Sequence, residues 1–280
     1  MKSCCPYIEK GKKHSSSILF MSGFPDSELS AWGNGIIEHF SQSHRCIFMC
    51  LPGYSETDHH SLDKRWGYEM EVVLEMMDNT IQAVGLHNHP FILISHDWGA
   101  YYALLYTTRY PKSVSKLILC DIGMCSPHTL PFSSLPFIAF YQLFFAITYY
   151  ISQAISVPLA EWLFLSVGIK AFFNILSPPL LSRVEIPIHS LTVRKCYPYY
   201  YLWRRLLTLQ LLPQKFPTCP VLFLYGTKKR CVYHDQAFLD RIDSTPTCQR
   251  CALPAGHWLM LDQPDLTVRL FSDFIDPPHT

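Results

Sequence analysis

The segment from Phe91 to Ala100 reads FILISHDWGA. Its first half is a short apolar run, which is typical of a buried strand. Ser95 then lies two positions before Asp97, and Gly99 lies two positions after it. Small residues at these positions allow a strained turn between a strand and a helix, and such a turn projects the residue at its tip as a nucleophile. The sequence therefore predicts that the carboxylate of Asp97 is a nucleophile, although an isolated Asp at this place could also simply cap the helix.

Apolar runs and amphipathic segments alternate on both sides of this turn. Such alternation predicts an α/β fold, with a mostly parallel central sheet and helices on both of its faces. In sheets of this kind, active groups gather at the carboxyl ends of the strands. The expected strands are 18–21, 46–50, 91–95, 116–120, 221–225 and 250–253. The expected helices are 66–84, 100–110 and 265–274.

The alternation stops between residues 124 and 217. This stretch is rich in Phe, Tyr, Leu and Pro and shows no clear strand pattern. We therefore expect a core made of residues 1–123 and 218–280, with residues 124–217 inserted as a helical cap over the active end of the sheet.

Composition and charge exclude several classes of function. Lys and Arg number 23 against 22 for Asp and Glu, and no basic stripe is present, so a nucleic-acid partner is not expected. The 11 cysteines are scattered, and several lie in apolar runs, which favours reduced, intracellular thiols. The CxxC at 248–251 has no second pair nearby, so neither a metal nor a cofactor is expected.

Residues 137–157 form a mostly apolar segment that is about long enough to cross a bilayer, but they include Gln142, Ser152 and Gln153. This composition favours a cap helix that lines an apolar pocket over a spanning helix, and it leaves contact with a membrane surface as an open expectation. Residues 1–17 are polar and contain no signal-peptide core. We expect an intracellular protein, cytoplasmic or peripherally bound to a membrane, and not a secreted one.

Two further loops supply candidate groups. The turn Ser22-Gly23-Phe24-Pro25 follows a strand and can aim the amide of Phe24 at the same point as the amide of Trp98. Two converging amides make an oxyanion hole. His257 follows the last expected strand, where a general base could reach the turn, although an isolated His is more often an ordinary residue.

These segments together resemble a known family. Gly23-Phe24-Pro25, His96-Asp97-Trp98-Gly99 and Gly256-His257 are similar to the epoxide hydrolase and haloalkane dehalogenase branch of the α/β-hydrolase superfamily. The resemblance implies the α/β-hydrolase fold. It also implies that Asp97 forms an alkyl-ester intermediate, which water activated by His257 hydrolyses. The reaction needs no cofactor.

Within this branch, epoxide hydrolases use two cap tyrosines that donate protons to the opening ring. The resemblance points to Tyr141 as the first and to the aromatic run 197–201 for the second, where we select Tyr200. Simple packing of the cap is an alternative role for this run. Dehalogenases usually carry Asn at the position of Phe24, so the resemblance favours apolar epoxides as substrates.

The sequence departs from the family in its triad acid. The acid commonly follows the strand that ends at Tyr225-Gly226, but residues 227–230 contain no carboxylate. Some members place it after the preceding central strand, where this chain has Asp121, and Asp235 is a weaker alternative. A carboxylate is needed there to orient His257. A smaller departure is Ser22, which stands where the family usually has His.

Three other functions remain open on sequence grounds. The first is a haloalkane or haloacid dehalogenase. The second is a lipid-binding or membrane-docked relative without catalysis, which the unfilled acid position motivates. The third is an acyl esterase, which is disfavoured because Ser95 lies away from the tip of the turn.

Overall fold

The computed structural model describes residues 3–11, 16–55, 66–125, 129, 131–176 and 191–277. Their strands are β1 (Tyr7–Lys10), β2 (Ser17–Met21), β3 (Arg45–Met49), β4 (Phe91–His96), β5 (Val114–Cys120), β6 (Val221–Gly226) and β7 (Gln249–Leu253). These strands form one sheet in the order β1-β3-β2-β4-β5-β6-β7. Strand β1 pairs antiparallel with β3, and every other pairing is parallel.

The helices alternate with the strands as expected. They are α1 (Gly33–Ser43), α2 (Met70–Ala83), α3 (Trp98–Arg109), α4 (Leu135–Ala154), α5 (Val157–Leu163), α6 (Ile169–Leu176), α7 (Tyr197–Leu207), α8 (Gln236–Asp243), α9 (Leu259–Asp262) and α10 (Pro264–Ile275). A π-helical turn, Phe164–Gly168, joins α5 to α6, and a 3-10 turn, Val193–Cys196, precedes α7.

Strand β4 lies at the centre of the sheet, and all six of its residues are buried. It pairs with β2 on one side and with β5 on the other. A strand of a parallel sheet is covered on both faces, which is why the first four residues of β4 are all apolar and do not alternate with polar residues. Helices α2 and α3 pack against each other, and so do α1 and α10.

The expected fold class is confirmed, and several element bounds are corrected. Strand β1 was absent from the sequence-based expectation because its residues are mostly exposed. Helix α2 begins at Met70 and not at residue 66, and β5 begins at Val114 and not at residue 116. The second cysteine of the CxxC, Cys251, lies within β7, and its thiol is free.

Helices α4 to α7 lie between β5 and β6 in the chain, within the expected cap. Helix α4 is the one described helix that is long and apolar enough to cross a membrane, with a mean hydropathy of 1.4. Part of this helix is buried in the protein, including Ile138, Tyr141, Phe145 and Tyr149. Helix α4 therefore packs against the rest of the chain through these residues.

Candidate active site

Asp97 lies at the tip of the turn between β4 and α3. Its backbone has φ 53° and ψ −129°, which an L residue rarely adopts. Such strain persists only when the surrounding structure enforces it, and it is concentrated at functional sites. The side chain of Asp97 makes no cap hydrogen bond to α3, so the helix-cap alternative is not realised.

Two glycines allow the backbone to pass close to this turn. A Cβ atom on Gly99 would overlap the carbonyl oxygen of Met21, at the end of β2. A Cβ atom on Gly23 would overlap the amide nitrogen of Trp98 and the side chain of Asp97. Both positions therefore require glycine for steric reasons, and not for backbone flexibility.

The expected oxyanion donors lie at the Asp97 carboxylate. The amide of Phe24 donates a hydrogen bond to Oδ1 of Asp97 at 2.5 Å. The amide of Trp98, the first residue of α3, lies near the same oxygen. A Cβ atom built on Gly23 would be 2.3 Å from this amide nitrogen and 2.4 Å from Oδ1 of Asp97. Ser22 does not take part, since its hydroxyl donates to the carbonyl of Ser27 at 2.7 Å.

His257 lies in the loop after β7 and is fully buried. Its Nε2 atom is 3.2 Å from Oδ2 of Asp97, and its Nδ1 atom is 2.5 Å from Oδ2 of Asp121. The ring thus lies between two carboxylates, one at the tip of the turn and one at the end of β5. The expected set of Asp97, His257 and Asp121 is brought together in one buried cluster.

Asp121 is held by several partners. Its Oδ1 atom accepts a hydrogen bond from the amide of Gly226 at 3.0 Å and lies 3.1 Å from Nζ of Lys229. Burial alone would raise the pKa of this carboxyl, but the charge of Lys229 and the hydrogen bond with His257 outweigh it and lower the pKa to about 2. Asp121 is therefore an anion at neutral pH.

The alternative acid, Asp235, has another role. It is the N-cap of α8, and its Oδ1 atom accepts a hydrogen bond from the amide of Phe238 at 2.8 Å. The acid that contacts His257 is Asp121, so the weaker of the two candidates is not supported.

The two carboxylates control the protonation of His257. Burial would lower the pKa of this imidazole, but the hydrogen bonds with Asp121 and Asp97 raise it to about 9. In the resting protein the ring is therefore an imidazolium between two anions.

A second buried group of side chains supports His257 and was not found by sequence analysis. The Nε2–H of His96 donates to the carbonyl oxygen of His257 at 3.1 Å, and burial lowers the pKa of His96 to about 3. The indole N–H of Trp258 donates to Asp26 at 2.8 Å, and burial raises the pKa of Asp26 to about 6. These contacts hold His257 and the residue that follows it in place.

A cavity of about 800 Å³ opens above Asp97. This volume falls in the range of small-molecule sites. Its walls come from both the core and the cap, and they are mainly apolar. The cap residues in its wall include Leu135, Ile138, Tyr141, Tyr199, Leu202 and Leu206.

Tyr141 lines this cavity. In the aromatic run 197–201, the tyrosine that lines the cavity is Tyr199 and not Tyr200. Tyr199 is 1% exposed and its ring centroid lies 5.1 Å from that of Trp98. Tyr200 does not line the cavity and instead packs against Trp66 and Tyr149. Selecting Tyr200 as a cavity residue was therefore wrong, because it lies on another side of α7.

The hydroxyl groups of both cavity tyrosines keep their protons. Burial raises the pKa of Tyr141 and of Tyr199 well above the ordinary tyrosine value, and the negative charge of Asp97 raises both further. The hydroxyl of Tyr141 is also 2.7 Å from that of Tyr233. Both hydroxyl groups are thus protonated at neutral pH.

The side chain of Phe24 connects the oxyanion hole to the cap. Its ring is fully buried and contacts other aromatic rings at centroid distances of 5.2 to 6.4 Å. These rings belong to Tyr54, Phe145, Phe164, Phe172 and Tyr199. Four of the five come from the cap.

The mostly parallel sheet, the strained turn after β4 and the cap define the class as an α/β-hydrolase. Residues 18–270 match the model of the alpha/beta hydrolase family, so the chain belongs to that family.

The chain was also compared with individual proteins. The chain is 24% identical to Epoxide hydrolase 4 of Mus musculus over 283 residues, which cover 96% of this chain and 75% of that protein. It is 22% identical to a mutant of an epoxide hydrolase from Bacillus megaterium, with a TM-score of 0.67 and coverage of 97% and 96%. A thermophilic esterase from Thermogutta terrifontis gives a TM-score of 0.70 at 16% identity, with coverage of 98% and 94%. The two solved structures show the fold alone, and the sequence likeness is to epoxide hydrolases.

Proposed function

We propose that this protein is an epoxide hydrolase that acts through a covalent ester on Asp97. The observation that carries the proposal is the placement of the Asp97 carboxylate. Its Oδ1 atom accepts from the Phe24 amide, while Oδ2 faces His257 beneath an apolar cavity whose wall includes the protonated Tyr141 and Tyr199.

In the first step, Oδ2 of Asp97 attacks a carbon of the epoxide and the C–O bond of the ring breaks. The ring oxygen takes a proton from Tyr141 or Tyr199, which leaves an alkyl ester and a tyrosinate. The ring oxygen stays attached to the substrate when the C–O bond breaks. Because the donated proton neutralises this oxygen, the Asp97 carboxylate can displace it.

In the second step, the imidazolium of His257 first gives its proton to the tyrosinate. The neutral ring then removes a proton from water, and the resulting hydroxide attacks the ester carbon, Cγ of Asp97. The negative charge then develops on Oδ1, where the amides of Phe24 and Trp98 stabilise it. Collapse of this intermediate releases the diol and restores the carboxylate, and His257 is again the imidazolium of the resting state. Asp121 stabilises the imidazolium that forms in between.

The relative from Mus musculus supports this reaction class, since it is named an epoxide hydrolase. The apolar lining supports an apolar, small-molecule substrate. The contact between Asp121 and His257 also supports catalysis over a non-catalytic role, because it offers a carboxylate to His257 although the segment after β6 has none.

Mass spectrometry of a trapped ester tests the proposal. With styrene oxide as the probe, the His257→Gln variant should accumulate an adduct of the epoxide mass on the peptide that contains Asp97. In the same His257→Gln background, the adduct should be absent with Asp97→Ala and unchanged with Asp240→Ala, a control on the exposed side of α8. Formation of diol without any adduct, or release of halide from haloalkanes in place of diol formation, would refute it.

The outer face of the cap supports a second, separate proposal, which is contact with a membrane surface. Phe140, Ile147 and Tyr150 recur at helical spacing on α4 and are 55%, 50% and 49% exposed. Trp162 on α5 is 63% exposed. Exposed apolar and aromatic residues on one helix face are typical of interfacial helices.

Vesicle flotation tests this contact. Phosphatidylcholine and phosphatidylserine vesicles should carry the wild-type protein upward, and the double variant Phe140→Asp, Ile147→Asp should stay behind. Tyr7→Asp, an equally drastic change at an exposed aromatic residue on β1, should float like the wild type. Equal flotation of all three proteins would reject a role for α4.

A further inference from the structure

Lys229 is a buried lysine beside the catalytic cluster, and the reaction as proposed does not use it. Its side chain is 0% exposed, and Nζ lies 3.1 Å from Oδ1 of Asp121. The ammonium also lies 5.5 Å from the ring centroid of Tyr233. Among the residues that the structure describes, it has no regular hydrogen bond, so its interaction with Asp121 is an ion pair. A buried ammonium is unfavourable unless an anion compensates it.

The position of Lys229 in the chain is informative. It lies three residues after Gly226, in the segment after β6. This is the segment in which the family that the chain resembles commonly carries its triad acid. Here the acid is at the end of β5 and a cation occupies the segment after β6. The two charges are paired in the interior of the protein.

The charge balance of the cluster suggests what this cation does. In the resting state, Asp97 and Asp121 are paired with protonated His257 and Lys229, and the cluster is neutral. When Asp97 becomes an ester, its negative charge moves to the tyrosinate in the cavity. The group of Asp121, His257 and Lys229 then carries a positive charge until His257 releases its proton to that tyrosinate. Without Lys229, the Asp121–His257 pair would be neutral with the proton still on the ring, and the ring would release that proton less readily.

We propose that Lys229 is a positioning residue that makes the Asp121–His257 pair release its proton once Asp97 is esterified, and so sets the pH at which the ester is hydrolysed. This inference rests on the proposed function. The other titratable groups that face the pair or Lys229 are Asp26, His96, Asp97, Cys231, Tyr233 and His234. None of them supplies a second cation, because burial lowers the pKa of His96 to about 3 and that of His234 to about 4.

The direction of the effect does not depend on which partner holds the proton. Asp121 and His257 share a short hydrogen bond and titrate as a pair. A nearby positive charge lowers the proton affinity of the whole pair, so removing it raises that affinity. The active form, with ionised Asp121 and neutral His257, then appears only at higher pH.

Single-turnover measurements of ester hydrolysis across pH 5 to 10 test the proposal, with styrene oxide as the probe. Lys229→Met should raise the midpoint of the pH profile by about one unit and make the ester accumulate at neutral pH. Lys229→Arg should restore the wild-type midpoint in large part. Lys228→Met, a change at the neighbouring exposed lysine, should leave it unchanged. A folded Lys229→Met variant with the wild-type midpoint would overturn the inference.

An NMR titration of ¹⁵N-labelled histidine separates this inference from the proposed function. The His257 resonances, assigned with His257→Gln, report protonation of the pair without any turnover. Lys229→Met should move their midpoint upward, and an unchanged midpoint would contradict the inference. If the wild-type protein formed no ester, the proposed function would fail, but this comparison would still decide the role of Lys229. Should Lys229→Met not fold, Lys229→Gln makes the same comparison with a polar side chain.

Discussion

Asp121 and His257 lie 136 residues apart in the chain, yet Oδ2 of Asp121 is 2.5 Å from Nδ1 of His257. The contact forms because β5 ends beside β6, and β6 ends beside β7, at the same edge of the sheet. It makes Asp121 the group that orients the imidazole.

Replacing Asp121 by Asn should therefore lower the rate of ester hydrolysis by roughly 1,000-fold to 10,000-fold, because the amide no longer stabilises the imidazolium. Rapid-quench mass spectrometry should show the ester accumulating on Asp97. The matched variant Asp235→Asn alters a helix cap at the cavity wall that does not contact His257, and it should keep the hydrolysis rate within a few-fold. If both variants lost the same activity, Asp121 would not be the triad acid.

The cap tyrosines provide a second prediction. Tyr141→Phe and Tyr199→Phe should each slow formation of the ester, and the double variant should lose roughly 100-fold or more, because no proton reaches the ring oxygen. Burst kinetics with styrene oxide measure this step. Tyr200→Phe is the control and should behave like the wild type, since Tyr200 packs outside the cavity. A larger loss in Tyr200→Phe than in Tyr199→Phe would reverse the assignment.

The close approach at Gly99 predicts a large loss of stability. Gly99→Ala forces a methyl group onto the Met21 carbonyl, and we expect about 3 kcal/mol of destabilisation or a failure to fold. Urea unfolding provides the measurement. Gly35→Ala should instead stabilise the protein by about 0.5–1 kcal/mol, because Gly35 lies within α1 and a Cβ atom there meets no neighbour. Equal effects at the two sites would contradict this steric argument.

The protonation of His257 predicts how stability changes with pH. The pKa of His257 is about 9 in the folded protein and near 6.5 in the unfolded chain, so folding favours the protonated ring. This contribution is fully present below pH 6.5 and is lost as the pH rises to about 9. Melting temperatures measured from pH 6 to 8.5 should fall by several degrees for the wild type. His257→Gln should give a flatter profile, and an equally steep one would contradict the raised pKa.

The nucleophile turn and the sheet could be predicted from sequence because their requirements are local. Ser95, Asp97 and Gly99 lie within five consecutive residues, and central strands of a parallel sheet are apolar throughout. Strand β1 was missed because an edge strand with exposed side chains has no such pattern.

The choice between Tyr199 and Tyr200 depends on the phase of α7. Tyr199, Leu202, Trp203 and Leu206 recur at helical spacing and face the cavity. Arg204 lies four residues after Tyr200 and is exposed, so both belong to the outer side. The two arginines of this helix were therefore a signal that could have identified Tyr199. The pairing of Lys229 with Asp121 had no such signal, because it joins segments that only the sheet brings together.

The aromatic surroundings of Phe24 bear on how this enzyme class changes specificity. The residue whose amide contacts the nucleophile is also the residue on which the cap aromatics rest. Exchanging those aromatics to admit a bulkier substrate would shift Phe24, so binding selectivity and turnover cannot vary independently in this chain. Engineering that grafts a foreign cap onto this core would need to transplant the loop after β2 along with it.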